Sequence, residues 1–174
     1  LLLLGGHLVL GRVYDARGHP WTAFRLDDLL GGRPLPNLEE FHQPCDEVAA
    51  GYYAVTTDAR GYRNPPDLIA DQQVYCAVQG DSNVWGFGLA EAETLCAQLN
   101  AALERPGYYN LGVSGYDVNQ FYFQYERFVR TVKAEHRVIL FNLGNDFTCS
   151  MLKTPYGARR PYLMVDDGQV REVR

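Results

Sequence analysis

A chain of 174 residues, 47% hydrophobic and 21% charged, has the composition of one globular domain, with a sizeable core but not enough length for two comfortable ones. Its formal net charge of −5, with no basic cluster longer than Arg159-Arg160, lacks the electrostatic footprint of nucleic-acid binding. The four cysteines show no Cys-x-x-Cys and the histidines no paired spacing, so a metal site is not expected.

The opening stretch, LLLLGGHLVL, is apolar but too short to span a bilayer, which takes roughly 20 such residues. It reads as the tail of a signal peptide or membrane anchor whose beginning is missing, or as a buried first strand or helix turn. The first reading places the protein outside the cytoplasm. Gly11 to Gln43 has no clear period and is broken by Pro20, Pro34 and Pro36, so it is expected to be loop-like. His7, His19 and His42 fall there and read as surface or loop histidines. Tyr53 to Thr57 predicts a short strand, and Asn64-Pro65-Pro66 ends it in an extended connection. Residues 1–71 are thus an apolar segment and loop-rich lead-in, with the core expected from Val74 and the α/β domain over 72–174. Cys76 and Cys96 read as small hydrophobes in that core, leaving Cys45 and Cys149 as the two placed for a disulfide.

Val74 to Gln79 is a short apolar run that stops at Gly80-Asp81-Ser82, the pattern of a buried strand delivering a serine to a turn. Taken alone, Gly-Asp-Ser is also ordinary turn composition. Leu89, Ala92, Leu95, Cys96, Leu99, Ala102 and Leu103 recur at helical steps and predict a helix near 90–104. A second strand is expected over 108–112, ending at Ser114-Gly115. A second helix follows near 117–133, with Tyr125, Phe128 and Val129 in its core face. A third strand over 137–143 ends at Gly144-Asn145-Asp146, and His136 falls just before it, at its amino end. Strands recurring about every thirty residues predict βαβ units, hence a parallel sheet. Right-handed crossovers bring the strand ends to one edge. Ser82, Gly115 and Asn145 should therefore converge. Arg160 to Val173 reads as a small hairpin turning at Asp167-Gly168.

Acyl transfer needs an activated nucleophile and donors aimed at the oxyanion of the tetrahedral intermediate. Ser82 is the candidate nucleophile, and the backbone N–H of Ser82, that of Gly115 and the side-chain amide of Asn145 are candidate donors. Asp81 is expected to serve the turn through bonds to nearby backbone N–H groups.

Gly80-Asp81-Ser82, Gly115 in NLGVSGYD and Asn145 in LGND resemble, in order and spacing, the first three sequence blocks of the SGNH, or GDSL-type, serine hydrolases. LDDLLGGRPLPN and TTDARGYRNPP are similar to the segment before the serine block in exported or membrane-anchored bacterial members. The resemblance covers about residues 26 to 170. It implies a three-layer, flavodoxin-like α/β/α hydrolase acting on lipid, carbohydrate or small-molecule esters, with Ser82, Gly115 and Asn145 as catalytic residues and no cofactor. The family's last block, an Asp-x-x-His supplying the catalytic histidine and its aspartate, has no counterpart here. Either the base lies in a missing C-terminal part, or the chain is a degenerate member that binds a glycan or lipid, with Tyr108, Tyr109 and Tyr116 lining the cleft. A polysaccharide O-acetyltransferase would share the same site.

Overall fold

The computed structural model describes residues 23–66, 68, 73–103, 107–152 and 160–173. The opening apolar segment, with His7, His19 and the expected signal or anchor, lies outside the described residues. The lead-in is more ordered than its sequence suggests. β1 (Phe24–Asp27) pairs antiparallel with β2 (Gly31–Pro34), and β3 (Phe41–Pro44) with β4 (Tyr52–Val55). The loop expected over Gly11 to Gln43 is corrected there. Strands of four residues are too short to show a period, and the β1–β2 turn is fixed by a side chain: Asp27 Oδ1 accepts from the N–H groups of Leu29 and Leu30, both at 3.0 Å. The lead-in also owns a core. Ala23, Phe41, Cys45, Tyr53 and Val55 are buried together with Trp85, so the core does not begin at Val74.

β5 (Val74–Gly80) is the central strand of the expected parallel sheet. It runs into α1 (Ser82–Trp85), a 3₁₀ turn over Glu91–Glu93 and α2 (Leu95–Ala102). β6 (Tyr108–Asn110), α3 (Val118–Arg127), β7 (Ala134–Leu140) and α4 (Asp146–Ser150) follow, and the sheet order is β6-β5-β7 with both pairings parallel. The chain is thus a mixed α/β fold whose small parallel sheet is flanked by helices. Cys76 and Val78 pack with Val84 and Cys96 toward α2, while Ala77 packs with Tyr109, Phe121 and Phe123 toward α3. Burial pushes the Cys96 thiol up to about 12, so it stays protonated as a small hydrophobe. Cys45 is a buried free thiol, so the Cys45–Cys149 disulfide does not form.

Helix faces depart from the sequence expectation. In α2 only Cys96 is buried, whereas Leu95 and Leu103, expected on the apolar face, are exposed. In α3 Val129 is buried just past the helix and Phe128 packs on the core, but Tyr125 is 38% exposed. The inward face of α3 is Asn119, Gln120, Phe121, Phe123 and Gln124. Apolar periodicity misplaces that face because hydrogen bonds replace apolar contacts: Gln79 Nε2 donates to Phe121 O and Gln124 Oε1, both at 2.7 Å, and Gln124 Nε2 donates to Leu111 O at 2.8 Å.

β7 begins three residues before its expected start, because it is in register with the start of β5, Ala134 opposite Val74. His136 is therefore inside the strand, opposite Cys76 in its amino half, rather than before it. β8 (Tyr162–Asp166) and β9 (Gln169–Val173) form the expected hairpin. Asp167 and Gly168 have φ of 48° and 73°, the doubly positive turn that suits Asp-Gly between twisted strands. Among the described residues no helix is long and apolar enough to cross a membrane.

Candidate active site

Each of the three predicted site residues follows the carboxyl end of a parallel strand. Ser82 opens α1 directly after β5. Asp81 caps that helix, Oδ1 accepting from Asn83 N at 2.9 Å, and so serves the turn as its sequence position suggests. Gly115 lies in a turn after β6 closed by Tyr116 N donating to Val113 O at 3.2 Å. With φ of 79° at Gly115 and no positive φ at Ser114, this is a type II turn, whose third position favours glycine. The closing bond leaves the Gly115 N–H out of the turn's own pairing. Asn145 precedes α4 after β7, and its side chain makes no cap bond to that helix.

Contacts between neighbours join the three loops. Val113 N donates to Gly80 O at 3.0 Å, tying the Gly115 turn to the end of β5. Asn110 stitches the same two segments: Nδ2 donates to Val84 O at 2.9 Å, and Oδ1 accepts from Gly112 N at 2.8 Å. Across the other side of β5, Asn142 Nδ2 donates to Asp81 Oδ2 at 3.3 Å. Its backbone carbonyl accepts from Asp146 N at 3.0 Å, and its N–H donates to Asp146 Oδ2 at 2.8 Å. Asn142 thereby links the serine turn to the loop that carries Asn145. The sheet order reverses between β5 and β7, the crevice where open α/β sheets bind ligands.

The lead-in supports this edge from behind. Asn64 Nδ2 donates to Asn110 O at 3.0 Å, and Asn64 Oδ1 accepts from Asn110 N at 2.8 Å. Tyr109 Oη donates to Asp58 Oδ2 and Tyr116 Oη to Gly32 O. Burial pushes both phenols well above their ordinary range, so each remains a donor. Buried and engaged in this way, Tyr109 and Tyr116 cannot line a glycan or lipid cleft, which corrects that expectation. Tyr108 packs edge-on against Tyr75, where β6 pairs near Cys76.

Asn142, Asp146 and the supporting pair Asn64–Asn110 escaped the sequence reading. Their signal is only a high density of Asn and Asp around the strand ends, which turn chemistry produces as well. Ser82 Oγ has Asp81 Oδ2 as its partner, at 3.5 Å. His42 stacks on Tyr52, and His136 lies in the amino half of β7. No group of acidic, His and Cys side chains suited to a metal occurs among the described residues.

Asp146 is buried, with Oδ1 lacking a hydrogen-bond partner. Burial drives its carboxyl up to about 6, the Asn142 N–H opposes this, and the charges of Asp81 and Asp117 add to it. A folded-state value above the unfolded one of about 3.9 means that the folded chain holds the extra proton, so stability falls as pH rises from about 4 to 6. Asp146→Asn keeps an acceptor for Asn142 and removes the charge. Its stability relative to the parent is expected to rise by on the order of 1–3 kcal/mol between about pH 4.5 and pH 7.5. Urea unfolding at the two pH values measures this, and an unchanged difference would show that Asp146 titrates normally.

No protein-family model, curated protein sequence or solved structure matches this chain significantly.

Proposed function

We propose that this chain is the nucleophile-bearing part of a serine ester hydrolase of the SGNH, or GDSL, type, with Ser82 as nucleophile and the Ser82 N–H, Gly115 N–H and Asn145 side-chain amide as oxyanion donors. The observation that carries the reading is the Asp81–Asn142 hydrogen bond, which ties the serine turn to the Asn145 loop across the crevice between β5 and β7. The strand order β6-β5-β7 corresponds to the first three strands of the flavodoxin-like order 2-1-3-4-5, and supports that architecture. In this reading Ser82 Oγ attacks an ester carbonyl and gives its proton to a base. The donors hold the oxyanion, the alcohol leaves, and water releases the acyl group. The substrate is a lipid, carbohydrate or small-molecule ester, met outside the cytoplasm if the opening apolar segment exports or anchors the protein.

Among the described residues His42 stacks on Tyr52 and His136 lies in the amino half of β7, so in this reading the base comes from outside them. β7 supports this: its Val138, Ile139 and Leu140, and Phe141 just past it, are each 40–44% exposed, although a parallel strand of such composition is normally covered on both faces. Another strand and helix seated against β7 would cover them and bring an imidazole to the same sheet edge. A second reading, a non-catalytic binding protein, is favoured by the contact of Ser82 with a carboxylate rather than an imidazole. Transfer of an acetyl group to a polysaccharide would differ only in replacing water by a sugar hydroxyl.

The test compares the 174-residue chain with a version extended through a downstream Asp-x-x-His, each with a Ser82→Ala control, on a short-chain p-nitrophenyl ester. The extended protein is expected to be active and to lose activity with Ser82→Ala, and the shorter chain to fall short by about 10²–10⁴-fold, the value of general-base assistance. Activity that survives Ser82→Ala overturns the nucleophile. Equal activity of both lengths, abolished by Ser82→Ala, would place the base within residues 1–174. An inactive extended protein would favour the binding reading.

A further inference from the structure

The hairpin β8–β9 reaches the edge of the candidate site through one side chain at its entrance. Arg160, with its side chain 7% exposed, donates through Nη1 to Gly115 O and through Nη2 to Asp117 Oδ2 at 3.4 Å. Asp117 is itself the cap of α3, its Oδ1 accepting from Asn119 N at 2.9 Å. The stem of Arg160 lies against Gly31, where an added Cβ would come within 2.3 Å of Cγ and Cδ. Two further bonds hold the hairpin to α3: Gln120 Nε2 to Pro161 O at 3.2 Å and Leu163 N to Asn119 Oδ1 at 2.9 Å. The Gly115–Asp117 segment is thus gripped by one guanidinium at a carbonyl and at a carboxylate.

We propose that Arg160 is a positioning residue, which holds the Gly115 turn by its carbonyl so that the preceding Gly115 N–H faces the carbonyl oxygen of the ester attacked by Ser82. The inference rests on the hydrolase reading above. The physical reason is leverage. A glycine at positive φ has low barriers to peptide rotation, and rotation of its peptides would turn the N–H away from the oxyanion. A guanidinium fork fixes the next carbonyl in direction as well as distance, which a lysine ammonium cannot do. The hairpin is therefore part of the catalytic support.

The test uses the extended, active protein with Arg160→Lys, Arg160→Ala and Ser82→Ala. Rates are expressed per serine titrated with a fluorophosphonate, so that misfolded molecules do not count. Arg160→Ala is expected to lower kcat by about 10²-fold, in line with loss of one oxyanion donor, with KM within about threefold. Added ethylguanidinium should restore part of the loss, and Arg160→Lys should fall between. A kcat within about threefold of the parent, while Ser82→Ala abolishes activity, overturns the positioning role and leaves the hydrolase reading intact. Activity that survives Ser82→Ala removes both. A readout independent of turnover uses the 174-residue chain labelled with ¹⁵N-glycine. Arg160→Lys should shift the Gly115 amide resonance and leave Gly51 and Gly168 in place. An unmoved Gly115 resonance overturns the inference even where Arg160→Ala fails to fold.

Discussion

Replacing Arg63 by methionine is expected to cost about 3–5 kcal/mol of folding stability, the loss found when one partner of a buried ionic cluster is removed. Arg63 is buried to 1% exposure, and all its donors are placed. Nε meets Glu91 Oε2 at 3.1 Å, Nη1 the carbonyls of Gly86 at 2.7 Å and Trp85 at 3.3 Å, and Nη2 those of Leu89 at 3.0 Å and Ala54 at 3.3 Å. The guanidinium also lies over the rings of Tyr53 and Trp85. It clasps the carboxyl end of the helix that Ser82 opens, and ties that helix to β4. Methionine fills much of the volume but leaves Glu91 and the carbonyls without their donor, so the penalty is one of unpaired buried groups rather than of a cavity. Lysine should recover little, since three donors on one nitrogen cannot reach acceptors spread around a planar fork. Urea unfolding measures the change. A loss below about 1 kcal/mol would mean that water replaces the guanidinium at little cost.

Gly112→Ala is expected to act on both stability and the site. A Cβ there would stand 2.3 Å from Trp85 N, 2.6 Å from Val84 C and 2.7 Å from Val84 Cβ. Two of these are backbone atoms of the serine helix, so no rotamer change relieves the contact. The segment after β6 must move off α1, straining both bonds of Asn110 to Val84 O and Gly112 N. Overpacking of this kind costs about 1–3 kcal/mol, and backbone contact places this case at the upper end. If Gly115 and Ser82 form one oxyanion site, a displacement near 1 Å should also lower kcat by about 10²-fold. Stability within about 0.5 kcal/mol of the parent would show that the two segments separate freely.

Asp81 and Asn142 show why the site was only partly legible in the sequence. Asp81 acts on its own helix, and a cap next to a serine at the start of a turn can be read locally. Asn142 acts on Asp81 across two strands, and nothing in FNLGND distinguishes an asparagine that turns the chain from one that reaches another loop. Asn145 stands at a position that family likeness suggests, while Asn142, three residues earlier, makes the bond to Asp81. Arg160 is still less visible, as half of an unremarkable Arg-Arg pair whose partners, Gly115 and Asp117, precede it by more than forty residues.

What the sequence by itself determined is the alternation of parallel strands and crossover helices. Val74–Gln79 and Arg137–Leu140 are apolar runs inside β5 and β7, the segments between them carry helical periods, and Asp167-Gly168 demands a doubly positive turn. Each of these is local backbone preference plus burial of an apolar run, and needs no partner to be recognised. Only the tertiary structure decided the four strands of the lead-in, the inward face of α3 and the start of β7. The lead-in strands β3 and β4 exist because Trp85 gives Phe41, Tyr53 and Val55 something to pack on. The face of α3 is set in part by Gln79, which bonds Gln124 and the Phe121 carbonyl, and by Pro161, whose carbonyl accepts from Gln120, and β7 starts at Ala134 because β5 offers it a partner from Val74 onward. In each case the deciding energy is a hydrogen bond or a contact to a distant segment, and hydropathy periodicity does not register such a partner.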